Sequence, residues 1–135
     1  MKLNSIKLYK GFTDEFCIKM CKYFADKSFI KELDNQLYSN DSMYWLIGED
    51  LENSVLGFLS IEDKDTYYYL DNFYILPRYR NMKIGNEILD YSLDYFGDKP
   101  IKLLTRNVIA LNMYLKNGFK IYKQNGRYKY LIRNI

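Results

Sequence analysis

The spacing of apolar residues predicts four helices. Apolar side chains recur with a period near 3.6, and each long run has capping residues at its ends. The predicted helices, caps included, are Thr13–Ala25, Ile30–Tyr38, Ile84–Phe96 and Asn107–Gly118. Thr13 and Asn107 are suited to N-caps because their side-chain oxygens can accept from first-turn N–H groups. Gly97 and Gly118 are typical helix stops.

Alternating or continuous apolar runs between turn residues predict seven strands. These are Ser5–Lys10, Met43–Gly48, Val55–Glu62, Thr66–Leu76, Ile101–Thr105, Phe119–Lys123 and Arg127–Arg133. The resulting order, β-α-α-β-β-β-α-β-α-β-β, has antiparallel strands first and β-α-β units later. We therefore predict an α/β (α+β) fold, with a mixed, mostly antiparallel sheet of six to seven strands flanked by about four helices. The 135 residues are predicted to form one domain, 1–135.

The charge is distributed unevenly. All 17 acidic residues precede Lys99, whereas nine of the 20 cationic residues lie at or after it. A basic C-terminal part together with 15 tyrosines raises the alternative of a nucleic-acid surface. Many of the aromatic residues, however, alternate along predicted strands, which is typical of sheet packing.

Composition restricts the other functional classes. No apolar run approaches 18 residues, so no membrane span is predicted, and the N-terminus lacks the apolar core of a signal peptide. The cytoplasm is the expected location. Cys17 and Cys21 are expected to be reduced, small core residues on one helical face. The chain has no histidine, so we predict no metal site.

The segment PRYRNMKIG, residues 77–85, combines positive charge with a helix start. Arg78, Arg80 and Lys83 precede a helix whose first N–H groups have no intrahelical partner and whose dipole is positive at that end. Cations there are unfavourable unless an anion is bound. Gly85 in the first turn allows a ligand to approach the backbone. The segment therefore predicts a phosphate site.

Two motifs together resemble the GNAT N-acetyltransferases, which use acetyl-CoA. The segment from Arg80 to Gly85 is similar to the family motif (Gln/Arg)-x-x-Gly-x-(Gly/Ala), with Lys83 in place of the first glycine. The second motif, Asn-x-x-Ala-x-x-x-Tyr-x-x-x-Gly-Phe, matches at Asn107, Ala110, Tyr114, Gly118 and Phe119. The order of elements also fits, so the resemblance covers essentially the whole chain.

The resemblance implies a cofactor site. The pyrophosphate of acetyl-CoA would be held by backbone N–H groups of Met82, Lys83, Gly85 and Asn86, with Arg80 and Asn81 at the rim. The pantetheine arm would pair with the strand that carries Tyr74 and Ile75, and Asn107 would reach its amide or act only as an N-cap. CoA would be the product.

It also implies acid–base chemistry. An alkylammonium must lose a proton before it attacks a thioester, and without histidine a carboxylate or a water chain must accept that proton. Asp71 is the first candidate, followed by Glu62 and Asp63. Tyr114 matches the position that protonates the leaving thiolate.

The activity implied is acetyl transfer to an amine of a small molecule or protein, by direct attack in a ternary complex. The alternative is a catalytically silent acyl-CoA-binding or regulatory module, since Lys83 departs from the motif. Acids in the early strands would favour a cationic acceptor by steering if they rim its cleft. These acids are Asp41, Glu49, Asp50, Glu52, Glu62, Asp63 and Asp65. A homodimer is compatible with this interpretation, whereas a nucleic-acid partner does not explain the two motifs.

Overall fold

A computed structural model describes residues 2–33 and 37–134. The strands are β1 Ser5–Lys10, β2 Met43–Glu49, β3 Val55–Asp63, β4 Tyr68–Ile75, β5 Ile101–Thr105, β6 Lys120–Asn125 and β7 Tyr128–Arg133. The helices are α1 Asp14–Ala25, α2 Lys27–Leu33, α3 Ile84–Tyr95 and α4 Val108–Lys116. A single 3-10 turn, Pro77–Tyr79, lies between β4 and α3. The predicted order of elements and the fold class are confirmed.

The second helix differs from its prediction. It begins at Lys27 rather than Ile30, because Asp26 Oδ1 accepts a hydrogen bond from the N–H of Phe29 at 3.1 Å and acts as an early cap. The predicted continuation to Tyr38 falls partly on residues 34–36, outside the described residues, and residues 37–40 are not helical.

The seven strands form one sheet in the order β1-β2-β3-β4-β5-β7-β6. Every neighbouring pair is antiparallel except β4 and β5, which are parallel. These two strands pair only at Tyr68 with Ile101 and at Tyr69 with Lys102. Beyond that point they separate, so a gap opens between their carboxyl ends.

A β-bulge in β4 lies at the start of this gap. The register with β3 shifts between Phe58 and Ser60, and Asn72 takes φ of 54°. Asn72 is buried, and its side-chain amide donates to Ser60 Oγ at 2.9 Å. Ser60 Oγ in turn donates to the Asp71 carbonyl at 3.1 Å, so side chains of β3 hold the bulge in place.

Two apolar clusters cover the two faces of the sheet. On one face, α3 and α4 pack Ile88, Leu89 and Tyr114 against β3–β5 and β7. On the other face, α1 and α2 pack Phe16 and Phe29 against β2, β3 and the end of β4. Burial of this apolar surface supplies the main stabilisation of the fold.

After the bulge, the side chains of β4 point to the opposite face of the sheet from the one that regular alternation would give them. Leu70 before it and Phe73 after it both pack toward α3 and α4, although they are three residues apart. Tyr74 packs toward α1 and α2. A regular strand alternates with period two, so this change of register requires the extra residue at Asn72.

The two cysteines are a correction to the sequence-based expectation. Cys17 and Cys21 form a disulfide on α1 rather than two thiols, and both residues are half-buried. Residues four apart on a helix share a face, and here the Cα atoms are 4.8 Å apart, within the range that a disulfide bridges. Within residues 2–33 and 37–134, no helix has the length and apolar character needed to cross a membrane.

A substitution at Gly57 tests whether the close approach of β3 and β4 beside the gap is needed for stability. A Cβ atom at this position would lie 2.8 Å from the Tyr74 carbonyl oxygen, which is backbone and cannot move freely. We expect Gly57→Ala to lower the free energy of unfolding by about 1–3 kcal/mol, measured by urea denaturation. The matched control is Gly85→Ala, whose Cβ would meet its nearest atom at 3.5 Å. Equal stability of the two variants would contradict the close packing of β3 on β4.

Candidate active site

The candidate site lies where β4 and β5 separate. Both parallel strands lead directly into a helix: β4 through residues 76–83 into α3, and β5 through Arg106 and Asn107 into α4. The N-termini of both helices therefore lie at the same edge of the sheet. Crevices at the carboxyl ends of parallel strands are the usual ligand sites of such sheets.

The loop before α3 has the backbone of an anion site. Asn81 and Lys83 both take left-handed conformations, with φ of 65° and 64°. The first hydrogen bond within α3 runs from Glu87 N–H to the Lys83 carbonyl at 3.1 Å. The N–H groups of Ile84, Gly85 and Asn86 precede it and have no intrahelical acceptor. Alternating left-handed residues beside such donors form a concave nest for phosphate oxygens.

Lys83 occupies the conformation for which the family motif has glycine. Its φ of 64° and ψ of 10° lie in the left-handed region, and it is the N-cap residue of α3 without a side-chain cap bond. The substitution therefore keeps the path of the loop and its N–H donors. Its cost is the strain of a side chain in that region, roughly 1–2 kcal/mol.

Gly85 lies against β4. A Cβ atom there would face Phe73 and Ile75 at 3.5–3.8 Å, which is ordinary contact distance. The side that a Cβ would occupy is thus the strand side of α3. A Cβ atom would therefore fit at this point without moving β4.

Arg80 is engaged on the surface beside the gap. Its Nε donates to the Ile75 carbonyl at 2.8 Å, and its Nη2 lies 2.6 Å from Glu32 Oε1. The Tyr74 hydroxyl donates to the other Glu32 oxygen at 2.9 Å, and the guanidinium lies 5.1 Å from the Tyr74 ring centre. The Arg80 guanidinium lowers the pKa of Glu32 through its hydrogen bond.

Glu32 is a site residue that sequence reasoning missed. It lies in α2, 48 positions before Arg80 in the loop that precedes α3, so no local pattern relates the two. The pair is more than two-fifths exposed on both sides, so it orients Arg80 more than it stabilises the fold.

The backbone of Ile75 points into the gap. Leu76 N–H donates to the Leu56 carbonyl of β3 at 2.9 Å, so the groups of Ile75, one residue earlier, point to the opposite edge. That edge faces the side from which β5 has separated. By the same alternation, the backbone groups of Tyr74 face β3, and its side chain is the part that reaches the site.

Asp71 and Tyr114 approach the gap from opposite faces of the sheet. Asp71 Oδ1 accepts from the N–H of Asn72 at 2.8 Å. Burial, and then the charge of Glu62, raise the pKa of Asp71. Tyr114 is only 5% exposed and packs against Phe73 and Phe119. Burial first, and then the charge of Asp71, raise the pKa of the Tyr114 hydroxyl, so the two groups are electrostatic neighbours.

Comparison with known proteins identifies the family. The model of the acetyltransferase (GNAT) family matches residues 6–119, most of the chain. The chain belongs to the GNAT family. The resemblance carried by the two motifs is thereby confirmed, and with it a fold that serves acyl transfer from CoA.

Solved structures agree on the GNAT fold. A GNAT acetyltransferase from Staphylococcus aureus is 15% identical, with a TM-score of 0.67 over 96% of this chain and 99% of that one. A PaiA N-acetyltransferase from Thermoplasma acidophilum in complex with coenzyme A is 16% identical, with a TM-score of 0.65 over 98% and 100% of the two chains. A chimeric spermidine N-acetyltransferase, SpeG from Vibrio cholerae combined with hSSAT, is 13% identical, with a TM-score of 0.67 over 97% and 96%. A search of curated proteins found no significant match.

The remaining residues of the GNAT motifs occupy the expected elements. Asn107 is the N-cap of α4, and its Oδ1 accepts from the N–H of Ala110 at 3.0 Å. Asn81 and Met82 lie in the loop before α3, where Met82 is 49% exposed. Asn86 is exposed in the first turn of α3.

The two other candidates for the general base, Glu62 and Asp63, lie at different distances from the gap. Glu62 is buried beside Asp71, where Tyr38 and Asn40 donate to its oxygens and Lys64 pairs with it at 3.4 Å. Asp63 lies at the far end of β3 and pairs with Lys99 at 2.8 Å. Glu62 therefore belongs to the surroundings of the site, and Asp63 does not.

The early acidic residues do not form one rim. Glu49 is fully buried between Lys7 and Lys19, at 3.2 and 3.4 Å. Asp50 Oδ1 accepts from Glu52 and Ser54 N–H groups and so holds the β2–β3 turn. Glu49 and Asp50 therefore do not supply the predicted steering of a cation, whereas Asp41, Asp63 and Asp65 line a separate cavity with Lys10.

Lys83 provides a test of the loop. We expect Lys83→Gly to be more stable than Lys83→Ala by up to about 1 kcal/mol in urea denaturation, because only glycine relieves the left-handed strain. If the ammonium contacts phosphate, Lys83→Ala weakens CoA binding in calorimetry, and Lys83→Gly weakens it less. Equal CoA affinity of all three proteins would show that the side chain points away from the phosphates.

Proposed function

We propose that the whole chain, 1–135, is one N-acetyltransferase domain that transfers an acetyl group from acetyl-CoA to a primary amine in a ternary complex. The observation that carries this proposal is the placement of Asp71 and Tyr114 as electrostatic neighbours at the gap, beside a loop with the backbone conformation of an anion site. A proton acceptor, a proton donor and a phosphate cradle then surround one opening.

The loop and the open strand edge fit acetyl-CoA. Backbone N–H groups of Met82, Lys83, Gly85 and Asn86 would hold its pyrophosphate, with Arg80 and Asn81 at the rim. Ile75 presents backbone groups to the gap and would pair with the pantetheine, beside the Tyr74 side chain. The amide of Asn107 would bind the same arm from α4. When bound, acetyl-CoA supplies an activated acyl thioester.

Asp71 is the proposed general base. Its raised pKa brings the carboxyl closer to neutral pH, where a base accepts protons more effectively than an ordinary aspartate. It would accept the proton that the ammonium must lose before the nitrogen attacks. A backbone N–H at the edge of β4 would stabilise the developing oxyanion.

Tyr114 is the proposed general acid. Its raised pKa keeps the phenol protonated throughout the physiological range, although it also makes the hydroxyl a weaker acid toward the departing sulfur. Burial against Phe73 and Phe119 holds the ring in one place. The phenolate would be reprotonated from solvent through the gap.

The second candidate is an acyl-CoA-binding module without catalysis. The observation that favours it is the packing of Tyr114 against Phe73 and Phe119, which accounts for this residue without a proton-transfer role. Calorimetry with acetyl-CoA, followed by thiol detection over an amine panel, separates the two functions. Binding without amine-dependent release of CoA would leave only the module, and no binding at millimolar ligand would exclude both.

The variant Asp71→Asn distinguishes a catalytic role of Asp71 from a structural one. The amide keeps an oxygen acceptor for the Asn72 N–H but cannot take a proton. We expect kcat to fall by about 10²–10⁴, measured as thiol release. If Asp71 has only a structural role, the substitution should instead lower the stability of the folded protein and leave kcat unchanged.

The stability of the same variant has a defined pH dependence. Because burial raises the folded-state pKa of Asp71 above its ordinary value of 3.8, ionised Asp71 destabilises the folded state at neutral pH. Asp71→Asn should therefore match or exceed the parent in stability at pH 7, and this advantage should vanish below pH 3.8. A variant that is less stable than the parent at pH 7 and retains full activity would exclude the base assignment.

Tyr114→Phe removes one hydroxyl and keeps the ring. We expect a fall in kcat of about 10²–10⁴ with little change in CoA affinity, since a proton donor acts mainly in the transition state. Because the phenol ionises only at very high pH, the parent and the variant should share any alkaline limb observed below pH 10. Turnover within about threefold of the parent would make Tyr114 a packing residue.

A further inference from the structure

One face of the sheet beside Asp71 has no helix over it. We call it the acceptor face and define it by Tyr69, Asp71, Lys102, Leu104, Tyr122 and Tyr130. Among the described residues, none of β5, β6 or β7 belongs to the apolar cluster under α1 and α2. Leu104 and Tyr122 are accordingly 37% and 51% exposed.

Strand register orders the charges across this face. Glu62 on β3 pairs with Tyr69 on β4, which pairs with Lys102 on β5. In the next row, beyond the gap from Asp71, Leu104 pairs with Tyr130 and Tyr130 with Lys123 on β6. The face therefore runs from carboxylates on β3 and β4 to cations on β5 and β6.

The side chains between the two charged ends are aromatic. The rings of Tyr122 and Tyr130 meet edge to face, with centres 6.2 Å apart. Tyr69 is half-buried between the two charged ends, and burial, then the charge of Asp71, raise the pKa of Tyr69 to about 12. An apolar or aromatic body would pack here between the two ends.

Lys102 on the acceptor face, and Lys123 at its β6 edge, are available to bind an anion. Lys102 lies over the rings of Tyr67 and Tyr122, at 4.4 and 5.8 Å, and Lys123 over Tyr130 at 5.1 Å. Within the described part of the chain, neither ammonium has a carboxylate within 4.0 Å. By contrast, Lys7, Lys19, Lys64 and Lys99 are all paired.

We propose that the acceptor is an amphoteric small molecule whose primary amine binds at Asp71 and whose anionic group, carboxylate or phosphate, binds at Lys102. This inference rests on the proposed function and names its acceptor class. Neighbouring strands are about 4.8 Å apart, so the two charges of the acceptor are separated by roughly 5–10 Å. A diamine would place its second cation against Lys102 and be repelled.

Three probes share one amine and one ring and differ at the para position. They are 2-phenylethylamine, 4-(2-aminoethyl)benzoate and 4-(2-aminoethyl)benzylamine, which carry hydrogen, an anionic group and a cationic group there. We expect the benzoate to bind the CoA-loaded protein roughly tenfold more tightly than the neutral probe, and the diamine to bind most weakly. Tyramine phosphate and phenylalanine extend the series to a phosphate and to an anion placed too close to the amine.

Substitutions of Lys102 test whether this residue causes the preference for the anionic probe. Lys102→Met keeps the aliphatic stem and should remove the preference for the benzoate, whereas Lys102→Glu should favour the diamine. The matched control is Lys129→Met, with the same change of charge on β7. Lys129 lies two residues before Leu131, which packs toward α3 and α4, so it faces away from the acceptor face.

The readouts separate this inference from the proposed function. If the order of affinities and its dependence on Lys102 hold but no probe is acetylated, acetyl transfer is wrong and the acceptor face is supported. If all probes are acetylated alike and Lys102→Met changes nothing, the amphoteric acceptor is wrong and acetyl transfer is supported. Tightest binding of the diamine by the parent would also overturn the inference.

Discussion

The loss of pairing between β4 and β5 is the constraint on which the rest of the structure depends. Parallel strands normally continue side by side, but here pairing ends after Tyr69 and Lys102. The bulge at Asn72 turns β4 at that point, and Ser60 holds it with two hydrogen bonds. Asp71 and Tyr114 are electrostatic neighbours on opposite faces of the sheet at the resulting gap, and the backbone groups of Ile75 point into it.

Backbone strain is concentrated around this gap. Asn72, Asn81 and Lys83 are non-glycine residues with positive φ, and all three lie between the bulge and the start of α3. Asparagine tolerates this region through local hydrogen bonds, whereas lysine has no such compensation. Strain of this kind persists when surrounding packing over-determines it, and it is often found at binding sites. The burial of Asp71 is a second cost at the same place, since it disfavours the charged form that a base requires.

The effect of a charged residue in this protein depends on its partners and on the face of the sheet where it lies. The early acids counted in the sequence suggested a common rim, but most are paired with lysines or hold turns. The basic C-terminal part is spread over both faces of β5–β7, and Lys102 and Lys123 lie on the face that adjoins Asp71. A net charge per segment therefore says little about a site until the register assigns each residue to a face.

The sequence by itself determined the order of elements, the mixed sheet and the family, because period, caps and two motifs are local signals. It also predicted a phosphate-binding loop before α3, since charge before a helix start is visible in a single segment. It did not reveal the Glu32–Arg80 contact, the bulge that changes the face of Phe73, or the Cys17–Cys21 disulfide. Glu32 and Arg80 meet only when α2 packs over the end of β4. The ordering of charges across the acceptor face likewise depends on strand pairing between residues as distant as Glu62 and Lys123, which only the tertiary structure decides.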